Sequence, residues 1–313
     1  AVLAIGADDH DGGKGIARVY DWNGVDTYVP REDPSNLLKG VAYSAAGNAV
    51  DLSTDGSIVA VGMFQHRGPG NAVVHGGSVR VFEWDAGSRT WTRLGTDADM
   101  QGVDAVDYLG KAVALSGDGH IVAVGVPETE HPGAHDYGRG EVRVYAYNSG
   151  TNQWSERDPG THQSPKLGGD ANYDYLGSAV AMSADGSILA ATALQSYNPV
   201  PRSYVRTWEW DGASYVKRVP DIYSVTAENS MTFIGLPVAL NAEGTVMAVG
   251  IVPAQSSLRS RVDVHTWDGT DWTLLYTNEG EDPYDRYGAT VALSADATVL
   301  ATGASRKDLP GIA

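Results

Sequence analysis

Three short stretches carry the residue types that could do chemistry in this chain. They are Asp8, Asp9, His10 and Asp11; His66 and His75; and Glu128, Glu130, His131, His135 and Asp136. Five of the eight histidines fall in them, and imidazole with carboxylate is the donor set of zinc and related metal sites. The same groups could hold a polar ligand. Their spacing matches no established ligand motif, so histidines on solvated loops are the plainer reading. There is no cysteine, which excludes thiol catalysis, disulfide staples and Cys-ligated zinc. No nucleophile elbow, phosphate loop or catalytic triad is spelled out. If these residues act together, a scaffold must bring separated loops to one face.

A repeat supplies that scaffold. AVALS, an Asp118-Gly119 turn and HIVAVG read as a hairpin, followed by EVRVYAY and a fourth short strand at Gln153-Trp154. A glycine opens the first strand at Gly47, Gly110, Gly177, Gly235 and Gly288, at spacings of 63, 67, 58 and 53 residues. The turn recurs as Asp55-Gly56, Asp185-Gly186, Glu243-Gly244 and Asp296-Ala297. The second strand ends in Gly6, Gly62, Gly125, Gly250 and Gly303, with Thr192 the one substitution. Arg18, Arg80, Arg143 and Arg206 share a register on the third strand, where Asp263 takes the fifth place; these arginines are expected to cover aromatic faces and pair with carboxylates on adjacent strands. Four strands at this period predict an all-β chain, a β-propeller of four-stranded antiparallel blades, five to six of them here. The chain is read as a single domain over 1–313. It has partial blades at 1–40 and 282–313 and full blades at 41–102, 103–169, 170–225 and 226–281. The second strand occurs once more than the first, so the chain is expected to end in an incomplete blade.

The pattern D-x-Y/F-x-G-x-x-V-A-L-S-x-D-G-x-x-[VL]-A-V-G, followed by G-x-V-R-V-Y-x-W, resembles the FG-GAP repeats. Those repeats build the head of integrin α subunits and occur in microbial and algal surface proteins. The resemblance implies a parent of seven blades, an extracellular or cell-surface location, and calcium in the first hairpin. The calcium loop needs several spaced carboxylates, whereas each hairpin here is shortened to S-x-D-G. Asp55, Asp118, Asp185 and Asp296 are therefore read as turn formers, and no cofactor is expected. Asp107, Tyr108 and Gly110, Asp174, Tyr175 and Gly177, and Asp285, Tyr287 and Gly288 are read as structural joints between blades, the Asp accepting backbone hydrogen bonds.

Net charge is −17, and basic residues are never clustered, so nucleic acid is not an expected partner. No apolar run is long enough to predict membrane insertion. Two functions remain at this level. One is a non-catalytic surface or extracellular module for adhesion, matrix or appendage, binding protein or glycan partners, or copies of itself. The other is a propeller glycosidase or polysaccharide lyase, which needs acids projecting from first strands into the channel. Only Asp51 meets that requirement, which favours the first. Should a partner bind, the two long loops Met63–Gly77 and Val126–Gly140 are where it is expected.

Overall fold

The computed structural model describes residues 1–31, 38–67, 73–96, 100–102, 104–129, 138–158, 167–194, 203–223, 233–235, 237–253, 259–283 and 285–305. It shows a five-bladed β-propeller built from antiparallel sheets. An opening three-stranded sheet comprises Val2–Ala7, Ile16–Trp22 and Tyr28–Pro30. The first complete blade follows as Val50–Leu52, Ile58–Met63, Ser78–Asp85 and Thr90–Leu94. The second is Ala112–Leu115, Ile121–Val126, Glu141–Asn148 and Gln153–Glu156. The third is Ala179–Met182, Ile188–Ala193, Tyr204–Trp210 and Tyr215–Tyr223. The fourth is Val238–Leu240, Val246–Pro253, Arg261–Trp267 and Trp272–Glu279, with Phe233–Gly235 beside its second strand. A closing hairpin, Tyr287–Leu293 with Leu300–Ala304, holds the fifth place on the axis. Five inner strands therefore surround one channel.

Each hairpin turn is built by its own residues. In the first blade Asp55 Oδ1 accepts from Ser53 Oγ at 2.7 Å and from the Ser57 amide at 2.9 Å, while Ser53 Oγ accepts from the Ile58 amide at 2.9 Å. The same lattice recurs at Asp118, Asp185 and Asp296. The carboxylates are occupied as turn acceptors, as the shortened motif implied. In the fourth blade Asn241 and Glu243 replace the serine and aspartate, and Asn241 Oδ1 accepts the Thr245 and Val246 amides at 2.8 Å each.

The second strands form the core. Ile58–Met63 and Ile188–Ala193 are buried at every position because a neighbouring blade covers each face. Val59, Ala60 and Val61 are 0 to 2% exposed, and each buried valine contributes roughly 1.5–3 kcal/mol of apolar transfer. Toward the outer rim a second device joins the blades. Arg31, Arg157 and Arg218, on fourth strands, reach the turn carbonyls of Gly56, Gly186 and Gly244 in the next blade at 2.6, 3.0 and 3.3 Å. Their guanidinium groups lie over Trp84, Trp210 and Trp267 at 5.6, 4.1 and 4.6 Å.

The arginine register on the third strands behaves in part as expected. Arg206 is buried between Asp221 on the adjacent strand and Asp170, and Arg143 pairs with Glu141 of its own strand. Arg206 also lies 4.9 Å from the Tyr204 ring. Arg18 is exposed. Covering of the large tryptophans falls instead to the fourth-strand arginines.

Candidate functional site

The loops between second and third strands and the joints between blades share one end of the channel, called here the upper mouth; the Asp-Gly turns ring the lower one. Asp8 and Asp9 are exposed at the upper end, and His10–Gly13 forms a tight turn with Asp11 and Gly12 at positive φ, within what the sequence suggested as loop. Asp11 is held by Lys14 and Lys39 at 2.9 and 2.7 Å. Those hydrogen bonds and charges bring its pKa down to about 2. It serves a local ion pair.

His75 sits half-buried with its ring 5.9 Å from Tyr108, and its Nδ1 is buried with no hydrogen-bond partner among the described residues. Phe64 meets the same tyrosine at 5.6 Å, and the Lys111 ammonium lies 4.0 Å from the Phe64 centroid. Burial raises the Tyr108 pKa, and the nearby Glu128 charge raises it further. The first blade's long loop is thus linked through Tyr108 and Lys111 to Glu128 of the second. His66 is half-buried in the same loop, its amide donating to Met63. Glu130, His131, His135 and Asp136 lie outside the described residues. Among the described residues no three of His, Asp or Glu gather as a metal site would require.

The joints read as structural from the sequence are structural here. Asp174 Oδ2 accepts the Asp170 and Ala171 amides at 2.8 and 3.1 Å and the Tyr204 hydroxyl at 2.8 Å. Asp285 accepts the Tyr287 amide at 2.8 Å. Asp107 accepts the Asp104 amide at 3.1 Å, but its Oδ1 is buried with no hydrogen-bond partner among the described residues, and burial pushes its pKa up to about 6.

The joints also seal the blades together. A Cβ on Gly6, Gly62, Gly125 or Gly250 would stand 1.8, 2.3, 2.0 or 2.0 Å from the carbonyl oxygen of Gly47, Gly110, Gly177 or Gly288 in the next blade. Only glycine permits that approach. Between the third and fourth blades the pattern breaks. Thr192 stands in the glycine's place, fully buried, its Oγ1 accepting the Ala179 amide at 3.1 Å. Across from it the inner strand is interrupted: Phe233–Gly235 pairs near Val252 and Pro253, Val238–Leu240 pairs with Met247–Val249, and Pro237 between them has no N–H to give.

A cavity of about 480 Å³ opens at the upper mouth, with Thr192 and Pro237 in its wall beside residues of the second blade and the closing hairpin. Lys111, Glu128, Tyr175, Ser178 and Thr192 supply polar groups to its wall, and Pro127, Leu194 and Pro237 supply apolar ones. Ser178 Oγ donates to the Tyr175 carbonyl at 2.6 Å, fixing the joint that carries the tyrosine. A charged amine, an exposed carboxylate and an apolar wall converge on one hollow, as in many small-ligand sites. Sequence reasoning singled out Glu128 but did not connect it with Lys111 or Thr192. The signal was the lone threonine in a column of glycines.

No family model matches the chain, and no curated protein sequence matches it. Solved structures do resemble it. A provisionally named 6-phosphogluconolactonase from Bacteroides fragilis aligns over 96% of this chain and 86% of its own, at 12% identity and a TM-score of 0.50. TolB from Acinetobacter baumannii aligns over 96% of this chain and 56% of its own, at 10% identity and 0.49. Sqt1 from Chaetomium thermophilum, bound to the N-terminus of ribosomal protein L10, aligns over 90% and 60%, at 15% and 0.47. The chain therefore spans little more than half the length of the TolB structure. At such identities the likeness shows a propeller fold and nothing finer.

The FG-GAP resemblance is not supported by these matches, and the surface adhesion, matrix or appendage function drawn from it is corrected. The resembling structures are TolB proteins, a lactonase by provisional name and Sqt1. The repeated Asp, Tyr and Gly that suggested the family are accounted for by turn and joint geometry common to blades of this kind. Among the described residues no helix is long and apolar enough to cross a membrane.

Proposed function

We propose that the chain is a non-enzymatic receptor propeller that holds a small zwitterionic molecule with an apolar group, such as a hydrophobic amino acid, in the upper cavity beside Thr192. The observation that carries this reading is the convergence of Lys111 and Glu128 with an apolar wall on one cavity, which Thr192 and Pro237 also line. Lys111 would take the ligand's carboxylate and Glu128 its ammonium, each as a charge-assisted hydrogen bond. Pro127, Leu194 and Pro237 would cover the apolar group. A non-catalytic role fits the channel wall, where Asp51 is the only carboxylate among the described lining residues, since paired acids are what hydrolytic propeller chemistry would need.

The test is calorimetric titration with leucine, with isovalerate and isoamylamine as single-charge controls. Leucine is expected to bind, with Lys111→Met and Glu128→Gln each weakening it about tenfold or more. Undiminished binding in both variants would place the ligand elsewhere. Hydrolysis of 6-phosphogluconolactone by the protein would replace the receptor reading with an enzymatic one.

A further inference from the structure

The lower half of the channel holds a second feature that departs from the repeat. Where the inner strands carry Ala114, Ala181, Ala239 and Ala292, the first blade carries Asp51. Its carboxylate is fixed in place: Oδ1 accepts the Leu52 amide at 2.9 Å, and Oδ2 accepts the Leu115 amide of the neighbouring blade at 2.7 Å. These bonds leave lone pairs on both oxygens. The surrounding hollow measures about 400 Å³. Its described lining is otherwise valine, leucine, methionine, alanine and glycine, with Thr54 and Asn241 as the remaining polar side chains; no cation faces the carboxylate. The inner strands are the edges of their sheets, so part of their backbone carbonyls and amides is turned to this space.

We propose that Asp51 makes the lower channel a binding site for a small organic cation of the primary-ammonium class. The ammonium would take the place of the counter-charge that the wall lacks, donating one hydrogen bond to Asp51 and others to edge-strand carbonyls or Thr54. A carboxylate facing an apolar wall with no counter-charge is unfavourable, and a cation with donors relieves it. The chain's net charge of −17 raises the local concentration of such cations around the mouth. Burial pushes the Asp51 pKa up to about 6, which sets the direction of the pH effect: the site is charged and competent above that value and neutral below it. This site lies apart from the upper cavity, and neither depends on the other.

The experiment is titration of n-butylammonium chloride into the whole chain at pH 8, with n-butanol as the neutral control and calorimetry as the readout. Butylammonium is expected to bind and butanol not to. Asp51→Ala should weaken binding about tenfold or more, and it places in the first blade the residue that the other inner strands already carry, so folding is expected to be retained. Asp51→Asn keeps an acceptor for Leu115 and serves as the second variant; it should lose binding equally. Glu128→Gln should leave binding unchanged, and lowering the pH to 5 should weaken it for the unaltered chain. Undiminished binding in Asp51→Asn, equal loss in Glu128→Gln, or no binding to the unaltered chain at millimolar ligand would each overturn the proposal.

Discussion

The seam between the second and third blades and the seam between the third and fourth are made from equivalent strands, yet only the former is closed glycine to glycine. In the first, Gly125 lets the Gly177 carbonyl come where a Cβ would be, 2.0 Å away. In the second, Thr192 stands in the glycine's place and accepts the Ala179 amide of its own blade, and Pro237 interrupts the inner strand of the fourth blade. The difference teaches that closure of these blades is set by missing side chains as much as by present ones.

The strongest way to break the comparison is to put a side chain into a sealed seam. Gly125→Val should cost about 3 kcal/mol, because the obstacle is backbone and cannot swing aside; urea denaturation measures it. Next, the aspartates that open the two blades flanking that seam differ in how well they are met. Asp174 accepts from at least three donors, while Asp107 keeps one buried oxygen without a hydrogen-bond partner among the described residues, and burial pushes its pKa from 3.8 up to about 6. A raised carboxyl pKa means the folded state retains the proton longer, so its stabilising contribution is present below about pH 4 and lost as pH rises through about 6. Asp107→Asn should therefore flatten the pH dependence of stability between those values by about 2 kcal/mol. Melts of the two proteins at pH 4, 5, 6 and 7 show whether the difference follows that slope.

A smaller effect is expected at the rim. Arg157 spans the sealed seam with bonds to the Gly186 carbonyl and the Tyr215 hydroxyl, both 3.0 Å, and Arg218 spans the other with a longer bond of 3.3 Å. Arg157→Leu should cost about 2 kcal/mol and Arg218→Leu about 1 kcal/mol. The reverse order in denaturation midpoints would mean that the seam with Thr192 leans on its rim. The smallest change is Thr192→Val, which keeps the shape but drops the bond to the Ala179 amide, costing about 1 kcal/mol. Unaltered stability there would show that the seam does not need the bond to Ala179.

Much of the scaffold was legible because it is local. The Ser-x-Asp-Gly turn carries its own acceptors, and the apolar second strands declare their double burial. The glycines at strand ends mark positive φ or close approach, as at Gly110 with φ of 89°. What stayed hidden depends on neighbours far off in sequence. Arg157 binds a carbonyl of Gly186, and Trp154 donates to the carbonyl of Leu94 at 3.0 Å. No spacing rule announces such pairs. The upper cavity was half visible, since Thr192 stood out but its consequence required knowing what faces it. Conversely, the histidines caught the eye by type alone, and Asp11 proved to be engaged with lysines. The family resemblance went too far because turn chemistry and joint glycines recur wherever such blades are stacked.

At the lower mouth the turn residues are tied to one another in single file. The Thr54 amide donates to Gly117, Gly117 to Ala184, Ala184 to Ala242 and Ala242 to Ala295, at 2.9, 2.6, 2.8 and 2.9 Å. Like links in a chain fastener, each tie joins only adjacent blades. Tension applied to the two ends should therefore be borne by one link at a time, as in other stacked repeats. Pulled in a single-molecule instrument, the protein would come apart in steps. A blade of about 60 residues would release on the order of 200 Å of extended chain at each one.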